Sequence, residues 1–352
     1  MKHQTTRYGE IPFYKIGTFG NTADAFISKK LFLEYKTKYS FPKKGDILIS
    51  ASGTIGRAVI YDGKPAYFQD SNIVWIDNDE TLVKNDFLFY AYSSVKWNTE
   101  HTTILRLYND NFRNTLIPLP PLNEQSAIAN ILSALDRYLC ALDALILKKE
   151  GVKKALSFEL LSQRKRLKGF NQAWQKVRLG DIANYLTSNL SAEQITQQGK
   201  IKVYDVNNFI GYTDTTFISD KPYISIVKDG SVGRVRILPP KTNILSTMGA
   251  LIANHRTTTE FLFYLLSNFD FKNFTSGSII PHIYFKDYKE KTIFLPPLNE
   301  QSAIANILSA LDNEIASLKN KKRQFENIKK ALNHDLMSAK IRVLEKSVLQ
   351  QK

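Results

Sequence analysis

The sequence predicts an α+β fold. Two mixed α/β, strand-rich domains are separated by two long helices that form an antiparallel coiled coil, and the whole is a pseudo-two-fold internal repeat. Three observations predict it. Eighteen residues, Leu119 to Asp136, recur letter for letter as Leu295 to Asp312, an offset of 176 in a chain of 352. Both copies run on into apolar residues spaced alternately by four and three, the signature of a helical seam. The segments ahead of them carry short apolar runs punctuated by glycine, which reads as strands and tight turns. The boundaries that follow are a first domain at 1–121, a central helix at 122–169, a second domain at 170–297, a C-terminal helix at 298–345 and a tail at 346–352.

In the first domain, Phe41 to Ser50 reads as a turn followed by a strand. Gly53 and Gly56 punctuate the next hairpin, and Ala58 to Tyr61 and Ile73 to Ile76 supply further strands. Asp86 to Tyr92 reads as a short buried helix, as does Glu260 to Leu266 in the second domain. Weaker echoes link the two domains. Gly53-Thr54-Ile55-Gly56-Arg57 matches Gly230-Ser231-Val232-Gly233-Arg234 at offset 177. Gly9, Ile11, Tyr14 and Phe19 match Gly199, Ile201, Tyr204 and Phe209 at offset 190, so the first domain carries about 13 extra residues between Phe19 and Gly53. At each repeat, prolines stop the preceding chain, and Asn123 or Asn299 can cap the helix. Glu124 and Glu300 stand where the helix dipole favours negative charge. The seam runs through Ile128, Leu132, Leu135, Leu139, Leu142, Ile146, Val152, Leu156 and Leu160. In the second copy it runs through Ile304, Leu308, Leu311, Ile315, Leu318, Phe325, Ile328, Leu332 and Leu336. Lys149 and Lys322 interrupt it, where they can set register.

Composition narrows the function. Apolar residues make up 43% and charged residues 23%, ordinary for globular protein. No run approaches the roughly 18 uninterrupted apolar residues of a membrane span, and the first residues hold no apolar leader. The single cysteine, Cys140, fits a reducing cytosol, so a cytoplasmic location is expected. The net charge is +15, with residues 1–176 at +8 (25 Lys/Arg against 17 Asp/Glu) and 177–352 at +7 (23 against 16). An excess spread evenly over both halves suits a polyanion partner, most simply nucleic acid, although a merely basic protein would show the same number.

Taken together, these residues resemble a known family. Two variable regions, each followed by Leu-Pro-Pro-Leu-Asn-Glu-Gln and a long helix, resemble the specificity (S) subunit of type I restriction–modification enzymes. Trp174-Gln175-Lys176-Val177-Arg178-Leu179-Gly180 resembles the family's opening of a target recognition domain, and Gly277 to His282 with Leu295 to Gln301 resembles its close. The first domain departs from the pattern in lacking a Trp-x-x-x-x-Leu-Gly opening. The resemblance implies a non-catalytic subunit. Each target recognition domain would read one half of an asymmetric, bipartite site in double-stranded DNA, and the coiled coil would set the spacing. Two methyltransferase (modification) subunits would dock on the helices, and restriction (translocase–nuclease) subunits would join them. No cofactor is expected on this chain; S-adenosylmethionine, ATP and Mg are expected on the partner subunits. A coiled-coil scaffold with two globular protein-binding ends is the alternative.

Base reading needs hydrogen-bonding side chains on groove-facing loops, and phosphate contact needs Lys or Arg. In the first domain the candidates are Lys29, Lys30, Lys36, Lys38, Lys43, Lys44, Arg57, Thr102, Thr103, Arg106 and Asn109. In the second they are Lys228, Arg234, Arg236, His255, Arg256, Thr275, Ser276, Ser278, His282 and Lys286. Asn123, Glu124 and Gln125, with Asn299, Glu300 and Gln301, read either as helix capping or as subunit docking. Catalytic and metal sites are not expected. Pro120-Pro121 and Pro296-Pro297 lack the flanking polar and aromatic residues of an amino-methyltransferase, and no P-loop occurs. Asp287-Tyr288-Lys289 has no acidic partner, and His101, His255, His282 and His334 have no nucleophile constellation.

Overall fold

The computed structural model describes residues 4–68, 72–97 and 106–343. The chain divides into two compact units, one of residues 1–143 with 321–352 and the other of residues 144–320. Each unit thus holds one strand-rich domain and one half of each long helix.

In the first unit, β1 (Ile11–Tyr14) pairs antiparallel with β2 (Ala25–Ile27), which leads through Ser28 into helix α1 (Lys29–Lys38). The Ser28 hydroxyl accepts the Leu31 N–H, an ordinary N-cap. Strand β3 (Ile47–Ser50) turns into β4 (Ala58–Ile60). Strand β5 (Tyr67–Phe68) runs parallel to β1, and β6 (Ile73–Trp75) flanks β3 on its other side. Helices α2 (Asn85–Ser94) and α3 (Asn109–Arg113) then lead to α4 (Leu122–Leu161), one helix of 40 residues. Ile47 to Ile49 are buried on both faces, which is why the sequence there reads as an unbroken apolar run.

The second unit repeats this plan. It opens with β7 (Gln175–Arg178) and β8 (Ala183–Thr187), continues with β9 (Ile201–Tyr204), β10 (Phe209–Thr213), β11 (Tyr223–Val227), β12 (Val235–Leu238), β13 (Asn243–Ile244) and β14 (Met248–Ala253), and reaches helix α5 (Thr259–Ser267). It closes with β15 (Thr275–Ser276), β16 (His282–Ile283), α6 (Phe285–Tyr288) and β17 (Thr292–Leu295) before α7 (Leu298–Met337), again 40 residues. The sheets correspond: β2-β1-β5 to β10-β9-β13, and β4-β3-β6 to β12-β11-β14. Two differences stand out. Most of the extra residues of the first domain are helix α1 and its flanks, between β2 and β3, and the rest lengthen the β1–β2 loop. Strands β7 and β8 have no counterpart among the described residues of the first unit. There Leu119, the match of the buried Leu295, is 55% exposed because no strand covers it.

Within each unit, α4 and α7 pack antiparallel. In the first, Glu124, Asp136 and Asp143 of α4 meet Arg342, Lys329 and Lys322 respectively. In the second, Lys149, Lys153 and Arg166 meet Glu314, Asp312 and Glu300. One number falls as the other rises, as antiparallel pairing requires. The two lysines that interrupt the apolar seam are accounted for: Lys149 and Lys322 each reach an acid on the opposite helix, at 2.8 and 2.7 Å. Most seam residues are buried or half-buried, with Leu132 and Leu308 fully so.

Two seam residues are corrected. Val152 and Ile328 are 46% and 49% exposed, and they are equivalent under the repeat. The neighbouring Lys153 and Lys329 take the inward place and pair with Asp312 and Asp136. The helices also end at Leu161 and Met337, not at 169 and 345. Gln163 and Ala339 adopt left-handed φ of 61° and 56°, which stops each helix. The chain then folds back far enough for Arg166 or Arg342 to reach a glutamate. Among the described residues, no helix is long and apolar enough to cross a membrane.

Candidate nucleic-acid interface

Each unit builds the same arginine-bearing glycine turn. In the first, Gly53 and Gly56 (φ 67° and 78°) reverse the chain between β3 and β4. In the second, Gly230 and Gly233 (φ 82° and 80°) do so between β11 and β12. These φ values belong to glycine. The turns close alike: Ser50 N–H donates to the Arg57 carbonyl and Gly56 N–H to the Ser50 carbonyl, just as Val227 donates to Arg234 and Gly233 to Val227. Side chains at the second glycine are excluded in both. A Cβ on Gly56 would lie 2.3 Å from Trp97 Nε1, and one on Gly233 would lie 2.6 Å from the Phe271 ring.

The arginines are fixed from behind. Arg57 Nη1 donates to the Phe19 carbonyl at 2.8 Å. Arg234 Nη2 donates to Asn207 Oδ1 at 3.0 Å, and Arg236 Nη1 to the Asn207 carbonyl at 2.9 Å while its guanidinium lies over the Tyr204 ring. A second segment joins each turn through an isolated bridge: Ser52 pairs with Arg106, and Asp229 pairs with His282. His282 Nδ1 lies 2.6 Å from Asp229 Oδ1. The structure thus gathers Arg57 and Arg106 in one unit. In the other it gathers Lys228, Arg234, Arg236, Ser276 and His282, with Thr275 and Ser278 in the same hairpin as Ser276.

Other candidates are placed elsewhere. Lys29 and Lys30 begin α1, and the exposed Lys43 pairs with Asp77, which raises its pKa. Lys36 and Lys38 close α1, and Lys44 packs beside Gly63. Asn109 is exposed at the start of α3, and Lys286 lies over the Tyr284 ring. His255 is exposed, while the Arg256 carbonyl accepts from Gln301 and its guanidinium donates to Gln175 Oε1, at the junction with α7. Thr102 and Thr103 lie outside the described residues. Sequence reasoning missed Asn207, Ser52 and Asp229, which hold the turns. The Asp-Gly pair at 229–230 is the one local signal that pointed to any of them.

As docking residues, Glu124, Gln125, Glu300 and Gln301 are corrected, because their side chains are buried inside their own unit. Gln125 Nε2 donates to the Leu82 and Pro120 carbonyls, and its Oε1 accepts the N–H of Lys84, the residue that caps α2. Gln301 does the same toward Arg256, Pro296 and Thr258, the cap of α5. Glu124 takes a bidentate pair from Arg342 at 2.7 and 2.6 Å. Glu300 takes one from Arg166 at 3.1 and 2.6 Å, and Trp174 Nε1–H donates to it as well, at 3.0 Å. Tyr90 and Tyr264 donate to Asp136 and Asp312; burial, and then these carboxylates, push their hydroxyl pKa values well up. Each helix start is thereby bolted to the domain ahead of it. Among the eighteen repeated residues, Asn123, Ser126, Asn130 and Ala134 are exposed in the first copy, and so are Asn299, Ser302, Asn306 and Ala310 in the second. Asn123 and Asn299 each accept the N–H of the following glutamate.

Comparison with known proteins agrees with this plan. The family model described as type I restriction modification DNA specificity domain matches twice, over residues 1–149 and 171–327. A putative type I restriction enzyme specificity subunit of Haemophilus influenzae is 65% identical over 133 residues, covering 38% of this chain and 34% of that protein. A putative type I restriction enzyme specificity subunit of Methanocaldococcus jannaschii is 28% identical over 335 residues, covering 85% of this chain and 79% of its own length. The fold is similar to the crystal structure of a type I restriction–modification S subunit from M. genitalium. That match has a TM-score of 0.63 at 21% identity and covers 96% of this chain and 91% of the other.

Proposed function

Because the chain belongs to the type I restriction–modification DNA specificity family, we propose that each unit reads one half of a bipartite DNA sequence for a type I restriction–modification complex. The observation that carries this is the duplicated glycine turn. Arg57 and Arg234 are held at equivalent places, each by a bond from behind and each beside a second loop. That is the mounting a groove-reading side chain needs, because a base contact discriminates only when its donor is fixed. The two units differ in sequence around the turn, so the half-sites differ and the target is asymmetric. Helices α4 and α7 each contribute to both units, and we assign to them the spacing between the half-sites.

The chain supplies recognition and no chemistry. Methyl transfer and DNA cleavage belong to methyltransferase and restriction subunits, which would carry S-adenosylmethionine, ATP and Mg. We place methyltransferase docking on the exposed stripe Asn123, Ser126, Asn130 and Ala134 and its second copy. These residues are identical in both copies, although the helix–helix and domain–helix packing leaves them exposed. Presence in duplicate fits two docked subunits.

The test is selection from a random duplex DNA pool at moderate salt, using the full chain assembled with its methyltransferase partner. Two fixed half-sequences at one constant separation are expected. A complex with no sequence preference overturns the reading. Replacing residues 170–297 with those of another family member should change one half-sequence only.

A further inference from the structure

The second unit carries a hairpin tip that its own packing does not explain. Strands β15 and β16 pair Thr275 with Ile283 and Ser276 with His282, and Gly277 to Pro281 join them. Ile279 is 92% exposed and Ile280 55%. The tip is nonetheless held firmly. Gly277 has φ +90°, and a Cβ there would lie 2.3 Å from the Ile280 carbonyl oxygen. Gly230 N–H donates to the Pro281 carbonyl and Ile283 N–H to the Lys228 carbonyl, both at 2.9 Å. With the contact between His282 and Asp229, these bonds tie the hairpin to the turn that carries Arg234. Two isoleucines are therefore presented in fixed register with the arginine.

Their surroundings indicate what covers them. The turn to which the hairpin is tied carries Lys228, Arg234 and Arg236, and the hairpin itself carries the hydroxyls of Thr275, Ser276 and Ser278. An apolar tip set in cations and hydroxyls does not match an apolar protein face. It does match the major groove of DNA, where phosphates flank base edges and the C5-methyl of thymine is the apolar feature to be read. We propose that Ile279 and Ile280 form an apolar base reader that contacts thymine methyl groups in the half-site of the second unit. This rests on the DNA-specificity reading above. Neither residue has hydrogen-bonding capacity in its side chain, so a search for donors and acceptors passes over both.

The experiment compares the wild-type chain with the double variant Ile279→Ser, Ile280→Ser, each assembled with the methyltransferase partner, in selection from a random duplex pool. The variant should select the half-sequence of the first unit unchanged and lose its preference at one or two T·A pairs of the other. Uracil is then placed for thymine in that half of the selected duplex, which removes only the methyl groups. Wild-type affinity should fall about fivefold or more, as for one wrong base pair, while the variant binds both duplexes equally. Thermal unfolding of the two chains should coincide, since exposed positions rarely affect stability. An unchanged half-sequence for the variant, or a wild-type chain indifferent to uracil, overturns the proposal and leaves the specificity reading standing. A wild-type complex that selects no sequence overturns both.

Discussion

Glu300 is 0% exposed, and a carboxylate without water costs several kcal/mol unless its lone pairs are met. Three N–H groups meet them, two from Arg166 and one from Trp174. Glu124, at the equivalent place, has two from Arg342 and the backbone N–H of Val343 where Glu300 has Trp174, and the Arg342 side chain is 51% exposed against 25% for Arg166. Glu300→Gln should therefore destabilise the second unit by about 2 kcal/mol, the usual loss of a charge-assisted hydrogen bond set. Glu124→Gln should cost the first unit less. Urea unfolding of both variants checks this, and equal losses would contradict the weight given to the deeper burial of Arg166. The same site predicts a pH dependence. The Arg342 guanidinium holds the Glu124 carboxyl below its ordinary 4.5. A carboxyl whose folded pKa is depressed contributes stability that is present above its unfolded value. That stability is lost as pH falls through the folded one. Thermal unfolding should fall more steeply below about pH 4 in the wild type than in Glu124→Gln, and parallel acid limbs would refute the assignment.

The long helices show most clearly what a sequence reveals about its elements. Their starts were legible because prolines and a capping asparagine mark them, and their seam was legible because apolar spacing survives without any alignment. Their ends were not. Gln163 and Ala339 turn left-handed where Lys165 and Lys340 N–H groups close back on the Glu159 and Asp335 carbonyls, and neither position has the glycine that would signal it. The inward lysines were equally hidden, since Lys153 and Lys329 stand beside apolar neighbours that fit the heptad better. At the recognition loops, glycines showed where the turns lie, while the residues that brace them, Asn207 and Ser52, carry no local signal. The helices also carry two predictions. Seven residues inserted after Asp143 and seven after Asn320 leave every bond within both units intact. They add ~10 Å of helix, so the selected half-sites should separate by about 3 base pairs without changing either sequence. An unchanged separation would rule out the helices as the ruler. Separately, Asn130→Lys with Asn306→Lys places charge on the exposed stripe. Methyltransferase binding should fall at least tenfold by titration, roughly 1.4 kcal/mol, with the folded chain unaffected. Undiminished binding would remove the stripe from the docking surface.

At the scale of the whole molecule, each unit draws on the start of one long helix and the end of the other, so the repeat is a statement about assembly as well as ancestry. Deleting residues 137–312 removes one interval of 176 and joins Asp136 to Asn313 in the register of the repeat. The product keeps the first domain and one hybrid long helix. It also keeps every residue of the pairs Glu124 with Arg342 and Asp136 with Lys329, together with Leu132, Leu336 and Met337 of one apolar cluster. A single straight helix cannot bring its own start against its own end. These contacts can form only between two copies, each supplying the half the other lacks, which is an isologous two-fold arrangement. The shortened chain should therefore be a dimer whose mass is near the 40.2 kDa of the full chain, as light scattering would show. Arg342→Ala in that chain should shift it toward monomer, because the glutamate clamp then spans the interface. With two identical recognition domains, the dimer should select a DNA site whose halves are inverted copies of the first unit's half-sequence. A folded monomer at micromolar concentration would show that the helices do not need each other, and the spacing argument would fail with them.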